Sequence, residues 1–212
     1  MTTAITAEQM RHYDSYTINT IGIPSLVLME RAALAVRDHI TERFAQQLNQ
    51  VVVVAGSGNN GGDGLAVARL LHLAGATVSI INVGNPDHAS AEHRTQDQIC
   101  QYYQLPQTTN LAPLKHASLV VDAIFGIGID RPVTGHYADV IDAINNCSAP
   151  VVAVDIPSGI NTDTGAVMGT AVKATTTVTF ACNKVGLTTS NGQHYAGQLV
   201  VATDMGTYVT DK

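Results

Sequence analysis

The sequence predicts an α/β protein of three layers: a mostly parallel sheet covered on both faces by helices and preceded by an N-terminal helix pair. Short β-branched runs alternate with longer amphipathic ones from Gln50 onward, the pattern of repeated βαβ units. The runs are continuously apolar, as strands buried on both faces must be. Hydrophobic residues make up 45% of the chain against 13% charged. A glycine-rich turn joins the first run to a helical stretch, where sheets of this kind receive ligands. One domain over residues 1–212 is expected, because no repeat, low-complexity tract or linker divides the chain.

Between Thr6 and Gln47 the apolar residues Ile18, Ile21, Leu26, Leu28, Met29, Ala32, Ala33 and Val36 recur at helical spacing, broken by Gly22 and Pro24. Two helices and a short turn follow from that. Leu26, Met29 and Ala33 are expected to exceed what one sheet face can cover, which predicts a homodimer. Strands are predicted at Val51–Val54, Thr77–Val83, Leu119–Val121, Val151–Val154, Thr176–Phe180 and Leu199–Val201. Helices fall between them at Asp63–Ala74, Ala89–Tyr103 and Tyr137–Asn146. After Val154 no comparable helix is predicted. Residues 156–173 form a Gly, Pro, Thr and Asp-rich connection, expected to carry function rather than packing.

A formal net charge of -6 argues against nucleic acid and anionic membranes as main partners. The three cysteines, Cys100, Cys147 and Cys182, lack metal-ligand spacing, and their odd number suits a reducing cytoplasm better than a disulfide framework. Met1–Gln9 lack the basic and apolar regions of a leader, and no apolar run approaches the roughly 18 residues of a membrane span. A soluble, cytoplasmic protein is expected. The eight histidines form no metal-ligand pair.

The first strand leads into Gly56-Ser57-Gly58-Asn59-Asn60-Gly61-Gly62-Asp63-Gly64, and a helix is expected from about Leu65. Glycines admit close approach of a ligand, and a helix N-terminus offers N–H groups and a positive dipole end to phosphate. Gly56, Gly58 and Gly61 satisfy the dinucleotide-binding spacing, a weak signal alone. An ordinary dinucleotide fold also wants an acidic residue for the ribose at the end of the second strand. Asn82-Val83-Gly84-Asn85 stands there instead, which disfavours an NAD-dependent dehydrogenase. The alternative is that the glycines only make a tight turn and Asp63 caps the helix.

Ligands of open parallel sheets lie beyond the carboxyl ends of the strands, where Asp122 and Asp155 end the third and fourth predicted strands. A carboxylate there can act as acid or base, bind a cation, hold a sugar hydroxyl, or cap a turn. Arg131, in Gly126-Ile127-Gly128-Ile129-Asp130-Arg131-Pro132, either clamps a phosphate or is solvated. Ser158 either gives an oxygen to a ligand or cation or bonds locally. Lys184 stands after the fifth predicted strand, with a surface role and a site role equally open.

Three segments resemble, in order, the signatures of the NAD(P)H-hydrate epimerases, or YjeF N-terminal domain proteins: Gly58–Gly64, Asp122–Gly128 and Val154–Gly159. Gly22-Ile23-Pro24-Ser25-Leu26 with Met29-Glu30 resembles that family's N-terminal helix pair, and the likeness runs from about Gln9 to Met205. The resemblance implies a three-layer αβα Rossmann-like fold and a homodimer. It implies epimerisation of the R and S forms of hydrated NADH and NADPH (NAD(P)HX), a repair that a separate NAD(P)H-hydrate dehydratase completes. By the same resemblance Asn59, Asn60, Gly61, Gly62, Asp63, Gly126, Ile127, Gly128, Ile129, Asp130, Arg131, Pro132 and Asp155 would touch the substrate. Asn60, Asp122 and Ser158 would bind one potassium ion per subunit. Asp122 and Asp155 are the candidates for proton transfer. Ala33 and Val185 depart from the family's usual glycine and proline.

The alternative is a non-catalytic Rossmann-like dimerisation and ligand-binding module, since eukaryotic decapping-enhancer proteins also resemble this domain. The set Asn60, Asp122, Asp155 and Ser158 favours the enzyme.

Overall fold

The computed structural model describes residues 4–209; Met1–Thr3 and Thr210–Lys212, the two ends of the expected domain, lie outside the described residues. Seven strands form one sheet: β1 (Val51–Ala55), β2 (Val78–Asn82), β3 (Gln107–Thr108), β4 (Leu119–Ala123), β5 (Val151–Val154), β6 (Thr176–Phe180) and β7 (Gln198–Ala202). All pairings are parallel, in the order β3-β2-β1-β4-β5-β6-β7. The six predicted strands are present, and β3 is an edge strand too short to leave a pattern. The chain runs outward from β1 to β3, then returns to place β4 on the other side of β1. That reversal opens a crevice at the carboxyl ends of β1 and β4, the ordinary ligand position in such sheets.

The expected N-terminal pair is α1 (Ala7–Tyr16) and α2 (Ser25–Arg43). Thr6 and Gln9 form a reciprocal capping box at the start of α1. A π-helical turn, Thr17–Ile21, closes on Gly22 at φ +88°, and Pro24 immediately precedes α2. The other helices are α3 (Asn59–Leu73), α4 (Ala91–Tyr102), α5 (His136–Asn145), α6 (Val185–Thr188) and α7 (Ser190–Ala196). One apolar cluster packs α1 through α4 against Val51, Val53, Val121 and Val154. A second packs α5 against the other face, through Val52, Val54, Val120 and Val151. The long connection after β5 carries no long helix, as expected.

Two expectations are corrected. Helix α3 begins at Asn59, directly after Gly58, and not near Leu65, which places Asp63 inside the helix and sets aside the alternative that it caps the start. Met29 and Ala33 are buried within the chain, where the tip of the Met29 side chain reaches Gly62, and thus cannot form a partner-facing stripe. The exposed apolar side chains of that region are Tyr16, Ile21 and Val27. Among the described residues no helix is long and apolar enough to cross a membrane.

Candidate functional site

Sterics fix the turn after β1. A Cβ on Gly56 would lie 2.1 Å from the Ile124 carbonyl oxygen, and one on Gly61 would lie 1.9 Å from the Gly56 carbonyl oxygen. No side chain fits at either position, so α3 starts against the end of β4. Its first turn presents the Asn59 and Asn60 side chains to the crevice, together with the free N–H groups every helix start carries.

Two cavities meet there. The larger, about 1020 Å³, is walled by Gly126–Pro132, Ser57, His88 and Tyr137. Arg131 is exposed on its rim and forms no ion pair among the described residues. The smaller, about 410 Å³, is walled by apolar residues such as Met10, Leu28 and Phe180, and by Asp14, Asp63, Asp155 and Lys184. Asn59, Asn60, Gly126 and Ile127 line both. Gly61 and Gly62 are buried and line neither.

Lys184 is not on the surface: it is fully buried. Its ammonium donates to Asp155 Oδ1 at 2.7 Å, Thr179 Oγ1 at 2.8 Å and the Phe180 carbonyl at 2.8 Å, which uses all three of its donors. Asp155 follows β5 in the left-handed region, φ +66°. This turns its carboxylate under β6, where Oδ1 also accepts from the Thr179 hydroxyl at 2.9 Å. Thr179 thus bridges the two charges. A lysine that deep is tolerable only because it is paired and fully bonded.

Asp122, at the end of β4, is buried and lines neither cavity. Its Oδ2 accepts the Ser158 N–H at 2.8 Å, and its Oδ1 accepts the Ser158 hydroxyl at 2.6 Å. The Ser158 oxygen in turn accepts the Phe125 N–H at 2.9 Å. Burial raises the Asp122 carboxyl to about 6, against the opposing effect of the Ser158 and Ile124 hydrogen bonds. Asn60 packs against Gly126, and its side-chain nitrogen is buried without a hydrogen-bond partner. Reversed, that amide would present an oxygen instead. Together with the Asp122 carboxylate and the Ser158 hydroxyl, such an oxygen would be of the kind that suits a hard cation.

Burial first, with Asp155 and Asp14 adding to it, pushes Asp63 well above the usual carboxylate range. Asp14, from α1, is raised to about 6 by burial and by Asp155, with Lys184 opposing. Sequence reasoning did not select Asp14. The available signal was its place between Met10 and Ile18 on one face of a helix, a charge within an apolar stripe. Of the two departures noted in the sequence, Ala33 is fully buried. Val185 donates its N–H to the Ile5 carbonyl at 3.0 Å, a bond that a proline would forfeit.

The model of the family "YjeF-related protein N-terminus" matches residues 25–186. An NAD(P)H-hydrate epimerase of Limosilactobacillus reuteri (strain DSM 20016) is 72% identical over 207 residues, covering 98% of each chain. One of Levilactobacillus brevis (strain ATCC 367) is 51% identical over 213 residues, covering 100% of this chain and 98% of its own. The crystal structure of yeast ynu0, YNL200c, superposes with a TM-score of 0.81 at 22% identity, over 94% of this chain and 87% of that one, a likeness of fold. With a match that spans both walls of the crevice and relatives that align end to end, the chain belongs to the family of YjeF-related protein N-termini.

Proposed function

We propose that the chain is an NAD(P)H-hydrate epimerase, an isomerase that interconverts the R and S forms of hydrated NADH and NADPH. The observation that carries this reading is the pair of joined cavities, one wide and walled by the Gly126–Pro132 loop beside an exposed arginine, the other small and lined by carboxylates. The large cavity takes the nucleotide phosphates, with Arg131, the Gly126–Pro132 loop and the start of α3 as their partners. The small one takes the hydrated nicotinamide ring. No acidic residue at the end of β2 is then needed. Of the two carboxylates expected to move a proton, Asp155 reaches the small cavity and Asp122 does not. The near relatives share this activity by name.

Asn60, Asp122 and Ser158 would hold one potassium ion, whose charge offsets the buried carboxylate and ties α3 to the loop after β4. Rates that stay equal in potassium-free buffer with trace cations chelated would count against this site. A homodimer, a cytoplasmic location and a separate dehydratase that finishes the repair belong to the same reading. Tyr16, Ile21 and Val27 supply the apolar surface for the dimer, and a monomeric mass by light scattering overturns it.

The decisive experiment is chromatography after the purified protein is incubated with one enriched epimer. Relaxation to the mixture of both, faster than the buffer blank, is expected. No exchange with retained dimerisation would identify a non-catalytic module.

A further inference from the structure

We propose that Asp14 is a second proton-transfer residue of this site, the acid that works with Asp155 as base; the assignment rests on the epimerase reading above. Inversion at a carbon that bears a hydroxyl needs one proton delivered and one removed. Hydration of an enamine places the hydroxyl on a carbon beside the ring nitrogen. Written for loss and return of water, the Asp14 carboxyl protonates that hydroxyl, and the C–O bond breaks with its electron pair leaving on water. The nitrogen lone pair closes a C=N bond. Water then adds to the other face of the carbon and gives a proton to a carboxylate, while the C=N pair returns to nitrogen. No electrons are gained or lost, and the two carboxyl groups end with the one proton they began with.

The cavity assigns these roles unequally to its carboxylates. Asp155 is tied at Oδ1 to the Lys184 ammonium, the Thr179 hydroxyl and the Phe180 N–H, while its Oδ2 accepts no hydrogen bond among the described residues. Lys184 has no donor left to turn toward another carboxylate. Asp14 enters from α1, a different wall, and its side chain accepts no hydrogen bond among the described residues. It is therefore free to face a ligand.

The charged groups that share this cavity with Asp14 are Arg11 on its own helix, Asp63 on α3, Glu92 on α4, and Asp155 and Lys184 beyond the strands. Glu92 is held by the Ser25 hydroxyl at 2.6 Å. Arg11 is exposed. Between Asp14 and Asp63, the tendency to release a proton decides. Burial, with Asp155 and Asp14 adding to it, pushes Asp63 well above the usual carboxylate range. Asp14, at about 6, both gives and takes near neutrality, the condition for efficient acid–base work.

Epimer exchange is measured by chromatography for the wild-type protein, Asp14→Asn and Asp14→Glu, from about pH 5 to about pH 9. Asp14→Asn is expected to lose a factor of about 10² to 10⁴ in kcat with KM changed only a few-fold, and to lose the fall in rate on the alkaline side. Asp14→Glu is expected to keep part of the rate and an alkaline fall displaced in pH from that of the wild type. If the amide variant does not fold, the glutamate variant carries the test, because its alkaline fall has to shift. An active wild-type protein whose Asp14→Asn variant keeps kcat and the alkaline fall, or loses only KM, overturns Asp14 alone. A wild-type protein that exchanges no epimers overturns the epimerase reading and this assignment together.

Discussion

Replacing Lys184 with methionine tests the charged centre of the small cavity, since the side chain keeps its length and loses only its ammonium. Three hydrogen bonds vanish at once. Asp155, 8% exposed, is left as a buried carboxylate facing an apolar thioether, and the Phe180 carbonyl loses its donor. Breaking a buried pair by removing one partner costs about 3–5 kcal/mol, and an orphaned carbonyl about 1–3 kcal/mol on its own. These overlap, so a loss of about 4 kcal/mol is expected, equivalent to roughly 8–16 °C in Tm for a chain of this size. Urea unfolding followed by circular dichroism measures it. The double variant Lys184→Met, Asp155→Asn is expected to recover at least about 1.5 kcal/mol relative to the sum of the singles, because no unpaired charge remains. Asparagine accepts the left-handed backbone of position 155 as readily as aspartate does. A loss below about 1 kcal/mol, or strict additivity in the double variant, would refute the claim that a bonded ion pair holds this region.

Asp155→Asn is expected to lower kcat by about 10² to 10⁴ while Kd for the substrate changes less; near-normal turnover with weakened binding would exclude Asp155 from proton transfer. Asp14 also affects stability with pH. Its folded value of about 6 lies above the ordinary 3.8, so between those values the folded state binds the extra proton and stability falls as pH rises. The penalty is complete above about pH 6. Discounted for partial exposure, it is on the order of 1–2 kcal/mol. Asp14→Asn should be more stable than wild type at pH 8 and equal to it below about pH 4, as urea midpoints at the two pH values would reveal. Gly56→Ala places a methyl group 2.1 Å from a backbone oxygen, and a loss of about 3 kcal/mol or more, or no soluble protein, is expected from the unfolding midpoint and yield.

The parallel sheet was legible because strands covered on both faces cannot alternate, and Val51–Val54 or Val151–Val154 admit few other placements. The start of α3 was not. Asn59, Asn60, Gly61 and Gly62 are poor helix formers, and the turn packs where Gly61, Gly62 and Gly64 leave no room for a side chain against Gly56, Met29 and Ala123. α6 and α7 are four and seven residues long, too short for a periodic signal. Asp122, Asp155 and Ser158 were visible because they end strands or follow them in glycine-bearing loops. Lys184 was left open because its burial depends on a carboxylate 29 positions away, and isolated lysines are usually solvated. Asp14 left only a faint mark, a charge within the apolar stripe of Met10 and Ile18, and it lines the small cavity because α1 folds back over the crevice.

That folding back is anchored by Ile5, which bonds Asn183 and Val185 on either side of Lys184, and by the Ala7 N–H, which donates to Asp163 at 2.7 Å. Almost the whole length of the chain separates Ile5 from those partners. During synthesis the helix bearing Asp14 therefore emerges long before the strands around Lys184 and gains these anchors only once they exist. The small cavity is closed only when α1 meets the segment around Lys184, so a chain that has not yet reached that segment leaves these carboxylates open to water and has no chamber in which to misuse them.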